Sequence, residues 1–561
     1  MYRLLVSLLL LFRVECLELS YCNHTEVTLL RDTELLTTLS LRNCTLSHLE
    51  NAFFVRFGHL LKLELQYSGL SDLGDFSLNG LARLQSLSLS HNNLSALRSW
   101  SSEPLGALTS LDLSYNAFRR LRSQSFELFP QLQLLDLGSN EISQIDEETF
   151  QGLSHLKHLH LNGNLLQTID SSFFLGLHRL ASLSLQRNLI ESIEMDAFET
   201  NTHLRSLRLD ENLLTSLLFL SQRGLARLVH LNLSNNQVKS LEPQGFSKNF
   251  ELQSLDLSYN QLINLTKEAL SGLDSLERLN ISHNSIEVVD TDSLEALVSL
   301  LQIDVSFNQL TSLPETLFNA NTQLEEIMFG HNLIGHLSSL VLARQSHLRY
   351  IQFTGNALSD AVFLQRLPAS LNRLSLYVDL SSNRLRSIDL NSSHQLKYLN
   401  LADNSFNCAW LIENLVRELP SSVNFARPWS VLNGWRDDFN NINGVDCAEG
   451  ETNRSIILLN ASEVSLYKTS KCECEQTYDE TNPSPPPLTW PKIPTDRFDS
   501  RSVIIWMLVA IALAFAGLRW LRRFVDRNES RKGGMKALNN MVFKDLNICA
   551  LFRSSPDTFL W

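Results

Sequence analysis

Basic residues are in short supply. The chain has 47 Lys and Arg against 60 Asp and Glu, a formal net charge of −13. That balance excludes a nucleic-acid binder that relies on a basic surface. Catalytic frames are missing too: no Ser-His-Asp arrangement and no glycine-rich phosphate loop stands out, so neither an enzyme nor a cofactor is expected. Cysteine is sparse, eight in 561 residues. Six of them (Cys22, Cys44, Cys408, Cys447, Cys472 and Cys474) fall in two groups at the ends of one long central region. Terminal pairs of that kind fit disulfide-closed caps in an oxidising compartment.

The central region, 36–406, repeats at a fixed spacing. One copy reads Leu84-x-x-Leu87-x-Leu89-x-x-Asn92-x-Leu94, and the Asn position recurs every 24 residues from Asn92 through Asn356, then at Asn383 and Asn404. Cys44 and Ser68 hold the same place in two earlier copies, which makes sixteen repeats. The alternation Leu-x-Leu turns both leucines inward and the residue between them outward on a short strand. One copy cannot bury its leucines alone, whereas stacked copies share a core and a parallel sheet. The Asn amide is expected to satisfy backbone groups of neighbouring coils. Ten residues after it comes a second apolar beat (Phe126, Phe150, Phe174, Phe198, Phe246, Leu270, Leu294, Phe318, Leu342), read as the filling of the convex side. One coil breaks the rhythm. Removing Ser375-Leu376-Tyr377-Val378 restores a perfect frame from Leu371 to Asn383, so residues 375–378 are extra to the frame, as a bulge, a gene-model artefact or a functional loop.

The motif, period and copy number resemble the leucine-rich-repeat superfamily. The stretch Asn407-Cys408-Ala409-Trp410-Leu411 is similar to the start of the C-terminal flanking domain of its extracellular members. Those usually open with Cys-x-Cys; here Cys408 stands alone at the front, Cys472 and Cys474 close the module, and the N-terminal cap is likewise reduced. The chain looks like the ectodomains of Toll-like receptors, chaoptin- and connectin-type adhesion proteins and the acid-labile subunit. The resemblance implies an α/β repeat solenoid, a horseshoe with its parallel β-sheet on the concave face, closed at each end by a cap. Cys22 most simply pairs with Cys44. In the C-terminal cap, Cys472 and Cys474 are poorly placed to pair with each other, which leaves two connectivities to Cys408 and Cys447; a zinc site from these four is the rival reading.

Flanking segments place the solenoid. Residues 1–16, with Arg3 and the apolar run Leu4 to Phe12, read as a secretory signal peptide, and 17–35 as the N-terminal cap. After the sixteen repeats, 407–474 form the C-terminal cap and the proline-rich 475–501 an extended stalk. Residues 502–521 contain the uncharged run Val503 to Leu518 and are expected to form one transmembrane helix through the lipid bilayer. Arg519, Arg522, Arg523, Arg527, Arg531 and Lys532 follow it, so the basic tail 522–561 lies in the cytoplasm and the N-terminus outside. That tail leaves no room for a Toll-type signalling domain or a kinase. Its apolar end, Phe559-Leu560-Trp561, offers an adaptor contact of the PDZ kind.

Acceptor sequons outside the membrane are Asn23, Asn43, Asn93, Asn232, Asn264, Asn280, Asn391, Asn453 and Asn460; Asn528 also matches but falls on the cytoplasmic side. Asn232 and Asn280 occupy the middle of the concave face two coils apart, where glycans obstruct a partner. Towards the C-terminal end that face has no sequon, and its outward positions include Leu301, Phe307, Met328, Tyr350 and Tyr398, a candidate partner-binding surface. His158 and His160, with Asp136 one coil back, resemble part of a metal-ligand set, although exposed polar residues are normal there. The expectation is a plasma-membrane receptor, adhesion molecule or co-receptor that binds an extracellular or cell-surface protein, homophilic contact included. The alternatives are a ligand-sequestering decoy or matrix-binding protein, and a metal-dependent ectoenzyme built on His158 and His160.

Overall fold

The computed structural model describes residues 16–22, 36–46, 48–49, 53–97, 100–371, 376–388, 398–407, 441–442 and 445–448. They form a parallel-sheet solenoid, consistent with a leucine-rich-repeat horseshoe. Its main sheet has 17 strands. One is the leading strand Cys16–Ser20, and the other sixteen run from Thr38–Arg42 to Tyr398–Asn400, one for each repeat. Every pairing is parallel and in register, so that Leu207 faces Leu231 and Leu231 faces Leu255. This register follows from the period: equal coils place equal residues side by side, and a slip of one would turn the leucines to solvent.

The two sides of each strand divide as the alternation requires. Leu111 and Leu113 are fully buried while Asp112 between them reaches solvent. The Asn ladder is built as expected. Asn188 Nδ2 donates to the Leu161 and Leu185 carbonyls at 3.0 and 2.9 Å, and its Oδ1 accepts the Leu166 N–H at 3.2 Å. Each amide thereby satisfies backbone groups that the turn would leave buried without partners. The last copy does the same through Asn404, which donates to Leu380 and Leu401 and accepts from Leu385.

The expected α/β composition is corrected: among the described residues the convex side carries no α-helix. It is made of turns, two-residue parallel strands such as Thr168–Ile169 with Ser192–Ile193, and short 3₁₀ segments such as Leu218–Ser221 and Lys267–Leu270. The reason lies in the spacing of the apolar beats. Between Asn116 and the next strand, Phe118, Leu121, Phe126, Phe129 and Leu132 must all turn inward, and all are buried. Tight bonds of the 3₁₀ kind, from the Phe129 N–H to the Phe126 carbonyl and from the Leu132 N–H to the Phe129 carbonyl, achieve this in few residues. The second beat packs as expected: Phe174 stacks on Phe198 at 5.7 Å, and Phe126 on Phe150 at the same distance. Where the beat carries Gln222 instead, Phe219 and Leu220 fill the core and the buried Gln222 accepts the Phe198 N–H at 3.0 Å.

The irregular coil is also reassigned. Tyr377 and Val378 are not extra to the frame, because Tyr377–Asp379 is the strand itself, paired in register with Tyr350–Gln352; Ser375 lies outside the described residues. Val378 and Leu380 are fully buried, as Ile351 and Phe353 are one coil earlier. The extra length instead falls between Asn356, which keeps its ladder place, and the strand that starts at Tyr377.

At the N-terminal end Cys22 and Cys44 are joined by a disulfide. The expected signal-peptide boundary falls at the first residue of the strand Cys16–Ser20, and Cys16, outside the six-cysteine set, is disulfide-bonded as well. At the other end Phe406–Asn407 pairs in parallel with Val445–Ala448, which pairs in turn with Asn441–Ile442. Cys408, Cys472 and Cys474 lie outside the described residues, as do the stalk, the predicted membrane helix and the tail. Among the described residues no helix is long and apolar enough to cross a membrane.

Candidate functional site

The open face of the main sheet is the surface that sixteen coils hold in common, and its residues change from one end to the other. In the N-terminal strands carboxylates have partners. Glu64 accepts from Ser40 at 2.8 Å and Arg42 at 3.1 Å and pairs with Lys62. Burial works to raise its pKa, but the bonds from Lys62 and Ser40 and the Lys62 and Arg42 groups outweigh it and hold the carboxyl below its ordinary value. Asp112 uses both oxygens on Ser88 and Ser114. Asp210 is gripped at two points by Arg208, at 2.8 and 3.0 Å.

His160 lies 3.3 Å from Asp136, and His158 points to the same side. Burial, with His160 and Lys157 nearby, pushes the His158 pKa down. Among the described residues no group of three His, Cys, Asp or Glu gathers that could hold a metal ion.

In the C-terminal strands the carboxylates lack such partners. Asp304 and Asp379 each commit one oxygen to the following turn, accepting the Ser306 N–H at 2.8 Å and the Ser381 N–H at 2.9 Å. Neither they nor Glu326 forms an ion pair among the described residues. The nearby cations are engaged elsewhere: Arg349 with Glu325 at 3.3 Å, Arg278 with Gln302 at 3.0 Å. Beside these acids Tyr350 and Tyr377 stack with ring centroids 5.1 Å apart and planes 15° off parallel. Burial first, then the charges of Asp379, Glu326 and Asp304, push the Tyr350 pKa up to about 12, so its hydroxyl stays protonated. Tyr377 moves the same way through burial and Asp379.

Of the five expected contact residues, Met328 and Tyr350 stand half-buried on strands of this face, and Leu301 is half-buried just before Gln302–Asp304. Tyr398 is in register with Tyr377, though its side chain lies outside what is described. Phe307 is different. It follows the strand, in the turn before Asn308, with a left-handed φ of 56° that swings its ring to the sheet's edge. There it stacks between His283 and His331 at 4.2 and 4.3 Å, and Tyr259 extends the ladder through His283 at 4.0 Å. A shorter ladder, Tyr67–His91–Tyr115, runs near the N-terminus. Left-handed backbone costs a non-glycine residue about 1–2 kcal/mol, and stacking against equivalent rings offsets part of that. The longer ladder ends over Gly355, where a Cβ would lie 2.6 Å from the His331 ring. These ladders were missed from sequence, although an aromatic residue directly before the ladder Asn, recurring every 24 residues, is the signal. Tyr377 escapes the sequence as well, because the leucine count leaves it outside the frame.

Of the sequons, Asn43, Asn93 and Asn264 are exposed, and Asn264 sits on a short strand away from the main sheet. Asn232 and Asn280 are half-buried on the open face with one strand between them. Their Oδ1 atoms accept the Ser234 N–H at 3.0 Å and the Ser282 N–H at 3.1 Å. Asn23, Asn391, Asn453 and Asn460 fall outside the described residues.

Comparison with known proteins agrees with this geometry. Residues 34–94, 106–166, 154–214, 202–262 and 250–310 match the leucine rich repeat family, so the segments 34–94 and 106–310 are leucine-rich repeats. A chain of the Toll–Spatzle complex of Drosophila is 22% identical, with a TM-score of 0.63 over 71% of this chain and 56% of that one. The glycosylated form of the complex matches at 21% identity and a TM-score of 0.63, covering 72% and 56%. A leucine-rich-repeat protein of Leptospira interrogans is 22% identical, with a TM-score of 0.51 over 74% of this chain and 90% of that one. These likenesses are of fold, and this chain spans about 56% of the Toll-complex chain. No curated protein matches the chain. The repeats and the shared fold together support the leucine-rich-repeat superfamily.

Proposed function

We propose that this chain is a cell-surface, glycosylated leucine-rich-repeat protein, anchored by one helix at 502–521, that binds a protein partner on the C-terminal part of the open face. Solenoids of this kind present long rigid surfaces on which other macromolecules dock. The observation that carries the reading is the run of Met328, Tyr350 and Tyr377 on consecutive strands, apolar and aromatic where the face is otherwise mostly polar. Sugars on Asn232 and Asn280 would close the middle of the sheet and leave this end open. The role is adhesion or co-reception; a sequestering decoy is the alternative.

Expression of the full chain on cells tests it. Surface biotinylation should label the chain, and glycosidase should shift its mass. Cells that carry it should aggregate with each other or with partner cells, and Met328→Ala with Tyr350→Ala should abolish that adhesion. Unlabelled, unshifted chain in the cytosol would sink the reading, and partner capture without aggregation would favour the decoy.

A further inference from the structure

The acids of the C-terminal open face define what this surface receives. Glu326 stands in one row with the two stacked tyrosines, Asp304 and Asp379 in the row beside it, and no cation among the described residues pairs with any of the three. The oxygen that Asp304 and Asp379 each leave over, and the whole Glu326 carboxylate, have no hydrogen-bond partner there. Elsewhere on the same sheet Glu64 and Asp210 are answered by Lys62, Arg42 and Arg208 from within the chain. We infer that the strands from Gln302–Asp304 to Tyr377–Asp379 receive an extended, arginine-bearing segment of a partner protein. This rests on the proposed partner-binding role and gives it a chemistry.

Arginine fits both halves of the patch. Its planar guanidinium lies on a tyrosine face and still donates sideways to a carboxylate, whereas a lysine ammonium is a compact, strongly hydrated charge that does the first less well. The spacing agrees. Asp304 and Asp379 stand three strands apart, about 14 Å at the usual strand separation of about 4.8 Å. In an extended segment crossing the strands, residues four apart are separated by about 13–14 Å. Arginines at every second position would therefore fall in step with the two outer acids, in the row that runs beside Glu326, Tyr350 and Tyr377. A nucleic-acid occupant is disfavoured, since its phosphates would meet three carboxylates.

The test uses the purified full chain and a fluorescent peptide that alternates Arg with Gly or Ser, compared with the same peptide bearing Lys, citrulline or Glu. The Arg peptide should bind several-fold more tightly than the Lys one, and the citrulline and Glu peptides should not bind. Binding should weaken with added salt, as charge pairing requires. Asp304→Asn with Asp379→Asn, made in a host without N-glycosylation because each substitution creates an Asn-x-Ser sequon, keeps the oxygen that each turn uses and should reduce affinity about tenfold or more against the unsubstituted chain from the same host. Glu326→Gln, whose side chain has no partner to lose, should reduce it about threefold. Tyr350→Ala with Tyr377→Ala should abolish it, and the Phe pair should keep most of it. Glu147→Gln with Glu148→Gln, remote from the patch, should change nothing.

Equal binding of Arg and Glu peptides, or undiminished binding by Glu326→Gln and the Asn pair, would overturn the inference. If the peptide fails but Met328→Ala with Tyr350→Ala still abolishes cell adhesion, the surface stands and only the cationic guest falls. If that pair leaves adhesion intact, the wider reading falls too.

Discussion

The two ends of the main sheet share one interior and wear different faces. Around Leu63–Leu65 and around Ile327–Phe329 the buried columns are equally closed, and the Asn ladder runs through both. Outside, the N-terminal strands satisfy their own charges, with Glu64, Asp112, Asp136 and Asp210 all engaged by neighbours within the solenoid. The C-terminal strands leave Asp304, Glu326 and Asp379 facing solvent beside stacked tyrosines. A charge already paired in the free protein contributes to stability and has little left for a partner. An unpaired one contributes nothing to folding and keeps its capacity for binding. One end is therefore finished and the other is waiting.

If the difference is confined to the surface, the cores must respond alike. Phe174→Ala and Phe318→Ala each empty a fully buried site on the convex side. Each should cost about 3–5 kcal/mol, read as lost hydrogen-exchange protection in the adjacent strands, because solenoid repeats open locally. Unequal losses would mean that the two ends differ in packing as well as in charge. Removing the Cys22–Cys44 bridge should cost the N-terminal coils about 2–4 kcal/mol and leave protection around Tyr350 unchanged.

Much of this architecture was legible before any coordinates. The Asn beat, the apolar beat and the Cys22–Cys44 pair follow from recurrence, since a residue repeated at a fixed interval lands in one place on every coil. The features that escaped depend on side-chain reach and on where the turn begins, which recurrence does not show. That Asp210 meets Arg208 two residues along its own coil, while Asp379 meets no cation among the described residues, is decided by side-chain reach. The stretch Leu371 to Asn383 allowed two frames, and core packing of Val378 selected the one that a leucine count had not chosen. Phe307 has the parity of the buried Ile303 and Val305, so a strict two-residue alternation would turn it inward; the turn has begun there, and with a left-handed backbone the ring is exposed instead.

The acids themselves give the next, smaller effects. Asp210→Ala strips a nearly buried carboxylate from Arg208 and should cost about 1–3 kcal/mol in the strands near Ser206–Arg208. Glu64 adds a pH dependence of known sign. Its folded pKa lies below the ordinary value, so the unfolded chain binds the proton more readily. Its contribution is complete above the ordinary carboxylate range of about 4.3 and is lost as the pH falls through the folded value. Protection of Lys62–Gln66 should decline on acidification below that range, and Glu64→Gln should remove the decline.

The smallest expected effect is the most discriminating. In a host without N-glycosylation, needed because each creates an Asn-x-Ser sequon, Asp304→Asn and Asp379→Asn keep the oxygen that accepts the Ser306 and Ser381 N–H groups and delete only a charge that no cation among the described residues answers. Stability should change by no more than about 0.5 kcal/mol, and relief of repulsion among Asp304, Glu326 and Asp379 gives any shift an upward sign. The same pair should weaken binding of a cationic segment sharply. A stability loss as large as that of Asp210→Ala would show the C-terminal acids to be structural after all, and the two ends of the sheet would then differ in appearance only.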